Sequence, residues 1–395
     1  MLPYNVEFFD YNGVFITNAN ADGLTITKDY LSGGENTLEI LNVNNADNIE
    51  KGGYLHIQRS QDGIDESYFG YIKGVTRETI NNSTITIRWC DMLDLLDMPC
   101  CIDTDAQGTI ALEELIATQI RIAMNNVVAL GSANAIGIET TTTSSTTDWG
   151  FNLKSDTEGQ HHTIVNLKSV IVDRALREYD IAIKLTPTFA GFQSTFRNLI
   201  LTFEIGKISD NAITIEADIS NVVAKVLYAD TQAEHVNRLT IYNETNYGES
   251  YTYYLGIDDW VYRNDIIGDE LQKFPIIYDV QSLNPEGATF AAASLAYAKR
   301  EMKPQPYVDL LEIEVANNDT LVKPLSLEIT QTYSIIFDGK QYTTILTGKK
   351  IKSGSTVLTF GTNRLDLTKL LKAGFVIGYV RVDKTKYNKS YENLN

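Results

Sequence analysis

Residues Ser67–Asp97, SYFGYIKGVTRETINNSTITIRWCDMLDLLD, read as strand, turn, strand and short helix. Ser67–Thr76 has the β-rich composition of a strand. Asn81-Asn82-Ser83 is turn chemistry, because Asn tolerates positive φ and its side chain bonds the local backbone. Thr84–Trp89 alternates Thr with Ile, which puts Ile85 and Ile87 on one face. Asp91 suits an N-cap, and Met92, Leu95 and Leu96 follow at i, i+3, i+4 on one helical side.

The phrase returns near the other end. Gln341–Asp366, QYTTILTGKKIKSGSTVLTFGTNRLD, carries a strand (Tyr342–Leu346), the turn Ser353-Gly354-Ser355 and a second strand (Thr356–Phe360). A polar break and a short helix to Lys372 follow. Ser83-Thr84-Ile85-Thr86-Ile87 lines up with Ser355-Thr356-Val357-Leu358-Thr359, and Asp94-Leu95-Leu96 loosely with Asp366-Leu367-Thr368. Two copies of one small β-domain in a single chain are therefore expected.

The 395 residues suffice for several domains, and 43% hydrophobic with 21% charged residues is ordinary for a soluble globular chain. The 22 tyrosines suit half-buried β surfaces or interfaces, since Tyr packs a ring and keeps a wet hydroxyl. A net charge of -18 argues against an overall phosphate-binding surface or attachment to an anionic membrane face. Cys90, Cys100 and Cys101 do not make a disulfide framework and fit folding in a reducing cytoplasm. MLPYNVEFFDYNG is not a signal peptide, and no apolar run has the length of a membrane anchor.

Before the opening hairpin, Val14–Ile16, Leu24–Thr27, Thr37–Ile40 and Tyr54–Gln58 read as strands, with Gln61-Asp62-Gly63 as a hairpin turn; about six short strands suit a small barrel or sandwich. Thr109–Asn126 is a helix with Leu112, Leu115, Ile116, Ile120 and Ala123 inside and Glu113 and Glu114 near its positive end. Thr140–Thr147 is a loop or exposed β-segment. Ile164–Tyr179 is predicted as a second helix, with Ile164, Leu167, Ile171, Ala175 and Leu176 inside. Strands are predicted at Asp180–Thr186, Asn198–Ile205 and Ala212–Ala217. Arg238–Asn243 and Ser250–Leu255 read as paired strands around Asn246-Tyr247-Gly248. Glu286–Met302 is an alanine-rich helix ended by Lys303-Pro304-Gln305-Pro306. Tyr307–Val315, Leu325–Thr330, Tyr333–Phe337 and Phe375–Val382 are further strands, and Lys384–Asn395 is polar.

The expected fold class is α+β, mainly β, with two similar small β-barrel domains and intervening α/β domains. The expected division is 1–105, first barrel-like domain; 106–190, α/β domain; 191–305, α+β middle domain; 306–382, second barrel-like domain; and 383–395, polar extension.

Candidate chemistry is sparse. His161 and His162 are adjacent and far from Cys100-Cys101, with no C-x-x-C or H-E-x-x-H spacing, so no metal site is expected. None of His56, His161, His162 and His235 stands in a recognisable nucleophile setting, and Cys90 reads as a core residue. Asp258-Asp259-Trp260 and Asp62-Gly63-Ile64-Asp65-Glu66 are the best carboxylate pairs for a glycoside hydrolase, but adjacent carboxylates usually solvate a turn. Asp258-Asp259 reads as the turn before a strand Trp260–Arg263. No phosphate-cradling glycine motif occurs, so no cofactor and no catalytic residue is assigned.

The chain resembles the baseplate hub, or tail-associated, proteins of tailed bacteriophages. The matching phrases are FGYIKGV with STITIRWCDMLDLLD, NRLTIYNE with YTYYL, the Ala-rich helix, YSIIFDGKQYTTILTGKKI and FGTNRLDLTKLLK, in this order along most of the chain. The resemblance implies a non-enzymatic structural protein of the virion tail tip, made in the host cytoplasm. It implies a homotrimer whose two barrels per chain form a pseudo-sixfold ring between the tail tube or distal tail protein and the tip, letting DNA pass. Other baseplate proteins and a tape measure protein would be neighbours, without sequence-specific nucleic-acid binding. Longer relatives continue into a spike or hydrolase, for which no room is expected after the second barrel. The alternatives are a receptor- or carbohydrate-binding tip, with Tyr251, Tyr253, Tyr254 and Trp260 as stacking rings, and a cell-wall hydrolase.

Overall fold

The computed structural model describes residues 3–362, apart from 42–43, 62–63, 78–83, 104–110, 128–135, 147–161, 169–171, 173, 194–195, 209–212, 218–221, 229–235, 275, 285–288, 303–306, 308–309 and 338. The predicted helix after Asp366, the strand Phe375–Val382 and the polar segment from Lys384 lie outside these residues.

The fold is α+β and mainly β. Its first section contains β1 (Tyr4–Phe9), β2 (Phe15–Ala21), β3 (Ile26–Asp29), β4 (Glu35–Leu41), β5 (Tyr54–Gln61), β6 (Ile64–Arg77) and β7 (Thr84–Asp91). All but β3 form one antiparallel sheet in the order β2-β1-β5-β6-β7-β4. Period-two alternation drives it: in β4, Asn36, Leu38 and Ile40 are buried while Thr37 and Glu39 are exposed. Leu38, Ile40, Ile85, Ile87 and Trp89 meet Val6, Phe8, Leu55, Ile57 and Ile72 in one core. After β7, Asp91 caps as predicted, accepting from Leu93 N at 3.0 Å. The helix is a five-residue 3₁₀ turn, Met92–Leu96, buried at every position and not amphipathic.

The middle section holds β8 (Pro99–Asp103), α1 (Leu112–Val127), β9 (Ile136–Thr142), β10 (His162–Asn166), α2 (Arg174–Tyr179), β11 (Ile181–Gln193) and β12 (Phe196–Lys207). Strand β10 pairs antiparallel with β8, and the order β11-β12-β9 makes a three-stranded sheet with β9 parallel to β12. α1 buries the predicted residues Leu112, Ile116, Ile120 and Ala123 in a core with Leu199, Leu201, Phe203 and Ile205. The predicted helix Ile164–Tyr179 is corrected. Its first part is β10, where Ile164 and Val165 pair with Cys101 and Cys100 across the ladder, while helical backbone is found from Leu167 on among the described residues, with α2 at Arg174–Tyr179. Short apolar runs rich in β-branched residues fit either period, and here pairing with the sequence-distant β8 decides. Asp180, at φ 56, makes the sharp turn from α2 into β11.

The remaining elements are β13 (Ile213–Glu216), β14 (Val222–Tyr228), β15 (Arg238–Asn243), β16 (Ser250–Leu255), β17 (Val261–Arg263), β18 (Tyr278–Leu283), α3 (Phe290–Glu301), β19 (Leu310–Ala316), β20 (Thr332–Phe337), β21 (Lys340–Ile351) and β22 (Ser355–Phe360). The predicted bounds of β15 and β16 are those observed, and Asn246-Tyr247-Gly248 is their turn, with Glu249 N bonded to Asn246 O at 2.9 Å. They form the sheet β17-β16-β15-β18, which α3 covers on one face. The second large sheet runs β13-β20-β21-β22-β19-β14, so residues between 191 and 305 send β13 and β14 into it. The predicted strand Leu325–Thr330 is a run of turns and irregular backbone. Pro324 donates no backbone N–H, and Lys323 and Thr330 take positive φ of 48 and 71, which an extended strand excludes.

Candidate functional site

One four-strand unit is built twice in the chain. Strands β4, β5, β6 and β7 lie in the sheet as β5-β6-β7-β4, and β19, β20, β21 and β22 lie as β20-β21-β22-β19, antiparallel throughout. Each unit therefore sets its first strand beside its fourth, a Greek-key order read in reverse. The match extends to irregularities. The β6–β7 ladder shifts register between Ile72 and Gly74, and the β21–β22 ladder shifts between Leu346 and Gly348. At that bulge Ile72 is bonded by Gly52 N and Gly53 O, both at 2.9 Å. Leu346 is bonded equivalently by Thr330 N at 2.7 Å and Gln331 O at 3.1 Å. Gly52 and Thr330 share a left-handed backbone, φ 94 and φ 71.

This geometry corrects the sequence register. Trp89 faces Ile72 as Phe360 faces Leu346, so Ile85 matches Thr356 and Ile87 matches Leu358. Pairing Ile85 with Val357 was one residue off, and one residue turns a strand's core face outward. The burial patterns confirm the structural register: Ile85 and Ile87 are buried, as are Thr356 and Leu358, while Val357 is half-buried.

A seam joins the two units. Strand β3 leaves the first sheet and pairs antiparallel with the far half of β21, from Ile26–Ile351 to Asp29–Gly348. It stays tied to β4 through Asn36, whose side chain accepts from Thr27 N at 2.6 Å and donates to Thr27 O at 3.0 Å. Lys28 lies opposite Lys349 in the seam and pairs with Asp91 at 3.2 Å. Lys349 is buried and donates to Leu325 O at 3.2 Å. Burial, helped by Lys28, brings its pKa down to about 7. A cavity of about 420 Å³ opens here between Lys28, Tyr68, Ile183, Leu327 and Lys349. Next in sequence to the cavity-lining Leu93, Asp94 meets Lys168 in a buried ion pair, packed where a Cβ on Gly33 would come within 2.8 Å of the carboxylate. Gly33 also sits at φ 73, so it meets both the space and the backbone demand.

The catalytic candidates distribute as follows. His161, His235 and Asp62 lie outside the described residues, while Cys100, Cys101 and His162 lie in the β8–β10 ladder, with His162 opposite Asp103. Among the described residues no group of three or more His, Cys, Asp or Glu could hold a metal ion. Cys90 is a buried free thiol whose pKa burial pushes up to about 12, the reverse of an activated nucleophile. Glu66 is buried in an ion pair with Arg59 and accepts from Tyr4 and Tyr68 hydroxyls at 3.0 and 2.9 Å. Asp65 is exposed, and successive strand residues face opposite ways, so the two are not a catalytic pair. Asp258 accepts from the Tyr262 hydroxyl at 2.6 Å, which holds its carboxyl below the usual range and unsuits it as a general acid. Asp259 takes φ 62 in the predicted turn.

One constellation is invisible in the sequence. His56 Nε2 lies 2.9 Å from Ser67 Oγ, and Nδ1 lies 3.2 Å from Glu7 Oε2, across β1, β5 and β6. The connectivity is that of a hydrolase triad, but Gln58 Nε2 also lies 2.8 Å from Nδ1 and 3.0 Å from the same Glu7 oxygen. The imidazole stacks on Phe69 at 4.1 Å, and Ser67 sits mid-strand opposite Gln58, not on a sharp turn with an oxyanion hole. The group is a cross-strand polar network on a sheet face. Register alone unites Glu7 with His56, and Gln58 with Ser67.

The tyrosines proposed as sugar-stacking rings are divided by the β15–β18 sheet. Tyr251 and Tyr253 face α3, Tyr253 donating to or accepting from Ser294 Oγ at 2.8 Å. Tyr254 is on the opposite face beneath Arg238, 5.2 Å from the ring centroid. Trp260 is 69% exposed, as are Phe274 at 72% and Tyr278 at 52%.

No protein-family model matches the chain, and no curated protein matches it. Among solved structures it is similar to a chain of the phage P2 baseplate in its activated conformation, at 11% identity and TM-score 0.46, covering 93% of this chain and 100% of that one. A tail protein from Neisseria meningitidis MC58 is similar at 12% identity and TM-score 0.48, covering 91% and 96%. The 43 kDa tail protein of prophage MuSo2 from Shewanella oneidensis is similar at 13% identity and TM-score 0.46, covering 90% and 98%. The chain is thus similar, across most of its length, to a phage baseplate chain, a prophage tail protein and a tail protein from Neisseria meningitidis.

Proposed function

We propose that the chain is a structural component of a phage-type tail tip, a homotrimeric hub that joins the sixfold tail tube or distal tail protein to a threefold tip and lets DNA pass. The observation that carries this is the twice-built four-strand unit, alike in strand order, bulge and left-handed cap. A threefold object can offer six like contacts to a sixfold neighbour only if each chain carries two like surfaces. The work is then done by shape and buried interface, without catalysis. The charge of -18 suits a channel lining that repels passing DNA. Tail-tube or distal tail proteins are the axial partners, with other baseplate proteins and a tape measure protein adjoining.

Light scattering of the purified chain should give three chain masses, and tail images should place it on the axis against a sixfold ring. A monomer at every concentration, or an off-axis position, refutes the reading. A receptor- or glycan-binding tip is the second reading, favoured by the exposed Trp260, Phe274 and Tyr278. Glycan binding that Trp260→Ala abolishes would establish it.

A further inference from the structure

The two like units differ at one edge. In the second, the outer side of β21 beyond the bulge is filled: Gly348–Ile351 pair with β3, and Thr347 O accepts from Tyr30 N at 2.9 Å. The corresponding stretch of the first unit is Gly74–Arg77 of β6. Strand β7 pairs with one side of it. On the other side β5 ends at the Tyr54–Tyr71 pair, and Gly52–Gly53 cap Ile72. Among the described residues no strand continues along that side, and no backbone group of Gly74–Arg77 is bonded there. An open run of strand N–H and C=O groups is a template for another strand.

The filled edge shows what such a strand looks like. Strand β3 reaches β21 while flanking β4, the first strand of its own unit, through Asn36. The strand that flanks the matching first strand of the second unit is β14, antiparallel to β19 from Val222–Val315 to Tyr228–Leu310. Among the described residues its other side is the end of the seven-stranded sheet. Within one chain β3 thus bridges the first unit to the second, while β14 stands beside the second unit without pairing to β6.

We propose that β14 of one copy of this chain adds antiparallel to the Gly74–Arg77 edge of β6 in the next copy, repeating between chains the contact that β3 makes with β21 inside the chain. The proposal rests on the ring reading above and deepens it. A head-to-tail contact of this kind closes into a ring when its rotation permits. Three chains then carry six like seams, three internal and three between copies. Alternation along the filled edge from Thr347 turns the N–H groups of Lys349 and Ile351 toward β3. By the shared register, Val75 and Arg77 are their counterparts.

The test is amide hydrogen exchange on the full chain above and below its assembly concentration, with the variants Val75→Pro and Val75→Thr. In the assembly the amides of Val75 and Arg77 should exchange ~100-fold or more slowly than in the dilute chain, as should amides in β14. Val75→Pro removes an outward N–H, which an edge position tolerates in the folded chain, and should abolish assembly. Val75→Thr keeps the N–H and the β-branched shape and should assemble. A trimer whose Val75 and Arg77 amides exchange freely, or a Val75→Pro chain that assembles like wild type, overturns the β14–β6 seam and leaves the ring. A chain that stays monomeric at every concentration overturns the ring and the seam with it.

Discussion

Replacing Lys168 with Met should cost this protein more than most single substitutions, and the reason lies in the turn after β7. Asp94 stands in the 3₁₀ turn after β7, its side chain 9% exposed and that of Lys168 7% exposed. One carboxylate oxygen meets the Lys168 ammonium, and the other accepts from Gly34 N at 3.2 Å. Without the cation a buried carboxylate keeps one weak backbone bond and no counter-charge. Breaking a buried pair from one side costs about 3–5 kcal/mol, whereas replacing both partners by apolar groups is often neutral. Lys168→Met should therefore lower the melting temperature by roughly 4–7 °C, and Asp94→Leu with Lys168→Met should recover most of it.

The pH dependence has a definite sign. Burial, outweighing the pull of Lys168, holds the Asp94 carboxyl above its ordinary value of 3.8. The folded state thus keeps that proton more tightly than the unfolded chain, so the contribution is full at acid pH and is lost as pH rises through the folded value. Loss of Lys168 raises the carboxyl further, so the variant's deficit should shrink as the solution is acidified. Differential scanning calorimetry of wild type, both single variants and the double variant at about pH 7 and about pH 5 reads all of this. The reasoning fails if Lys168→Met melts within ~2 °C of wild type, if acid widens the deficit, or if the double variant is no better than the single.

Lys349 titrates at about 7 when folded against an ordinary 10.5, so the unfolded chain binds more protons between those values and stability should climb with pH across that window. Lys349→Met should flatten the climb and stabilise the protein by ~2–4 kcal/mol below pH 7, seen as a higher urea midpoint. Thr330 holds a β-branched side chain at φ 71 where the first unit uses Gly52, so Thr330→Gly should raise stability by about 1 kcal/mol. An unchanged or lower midpoint would deny that strain. Asp91→Ala removes the cap on Leu93 N and the partner of Lys28, and should cost about 1 kcal/mol, with a second substitution at Lys28 adding little.

The amino-acid order by itself determined what depends on residues a few positions apart. Alternation placed β15 and β16 at their observed ends, the Asp91 cap followed from its side chain and the apolar residues beyond it, and the i, i+3, i+4 stripe found α1. It also showed that a hairpin recurs. The tertiary structure alone decided what depends on pairing between distant strands. It set the one-residue register that matches Ile85 with Thr356, drew β3 out of its own sheet onto β21, turned Tyr251 and Tyr253 toward α3, and joined Glu7, His56 and Ser67 into one network. Ile164 shows the boundary between the two: its local pattern allowed helix or strand, and the ladder with β8 chose. Local preference is worth tenths of a kcal/mol per residue, while registering one strand against another commits a whole face to the core or to water at once.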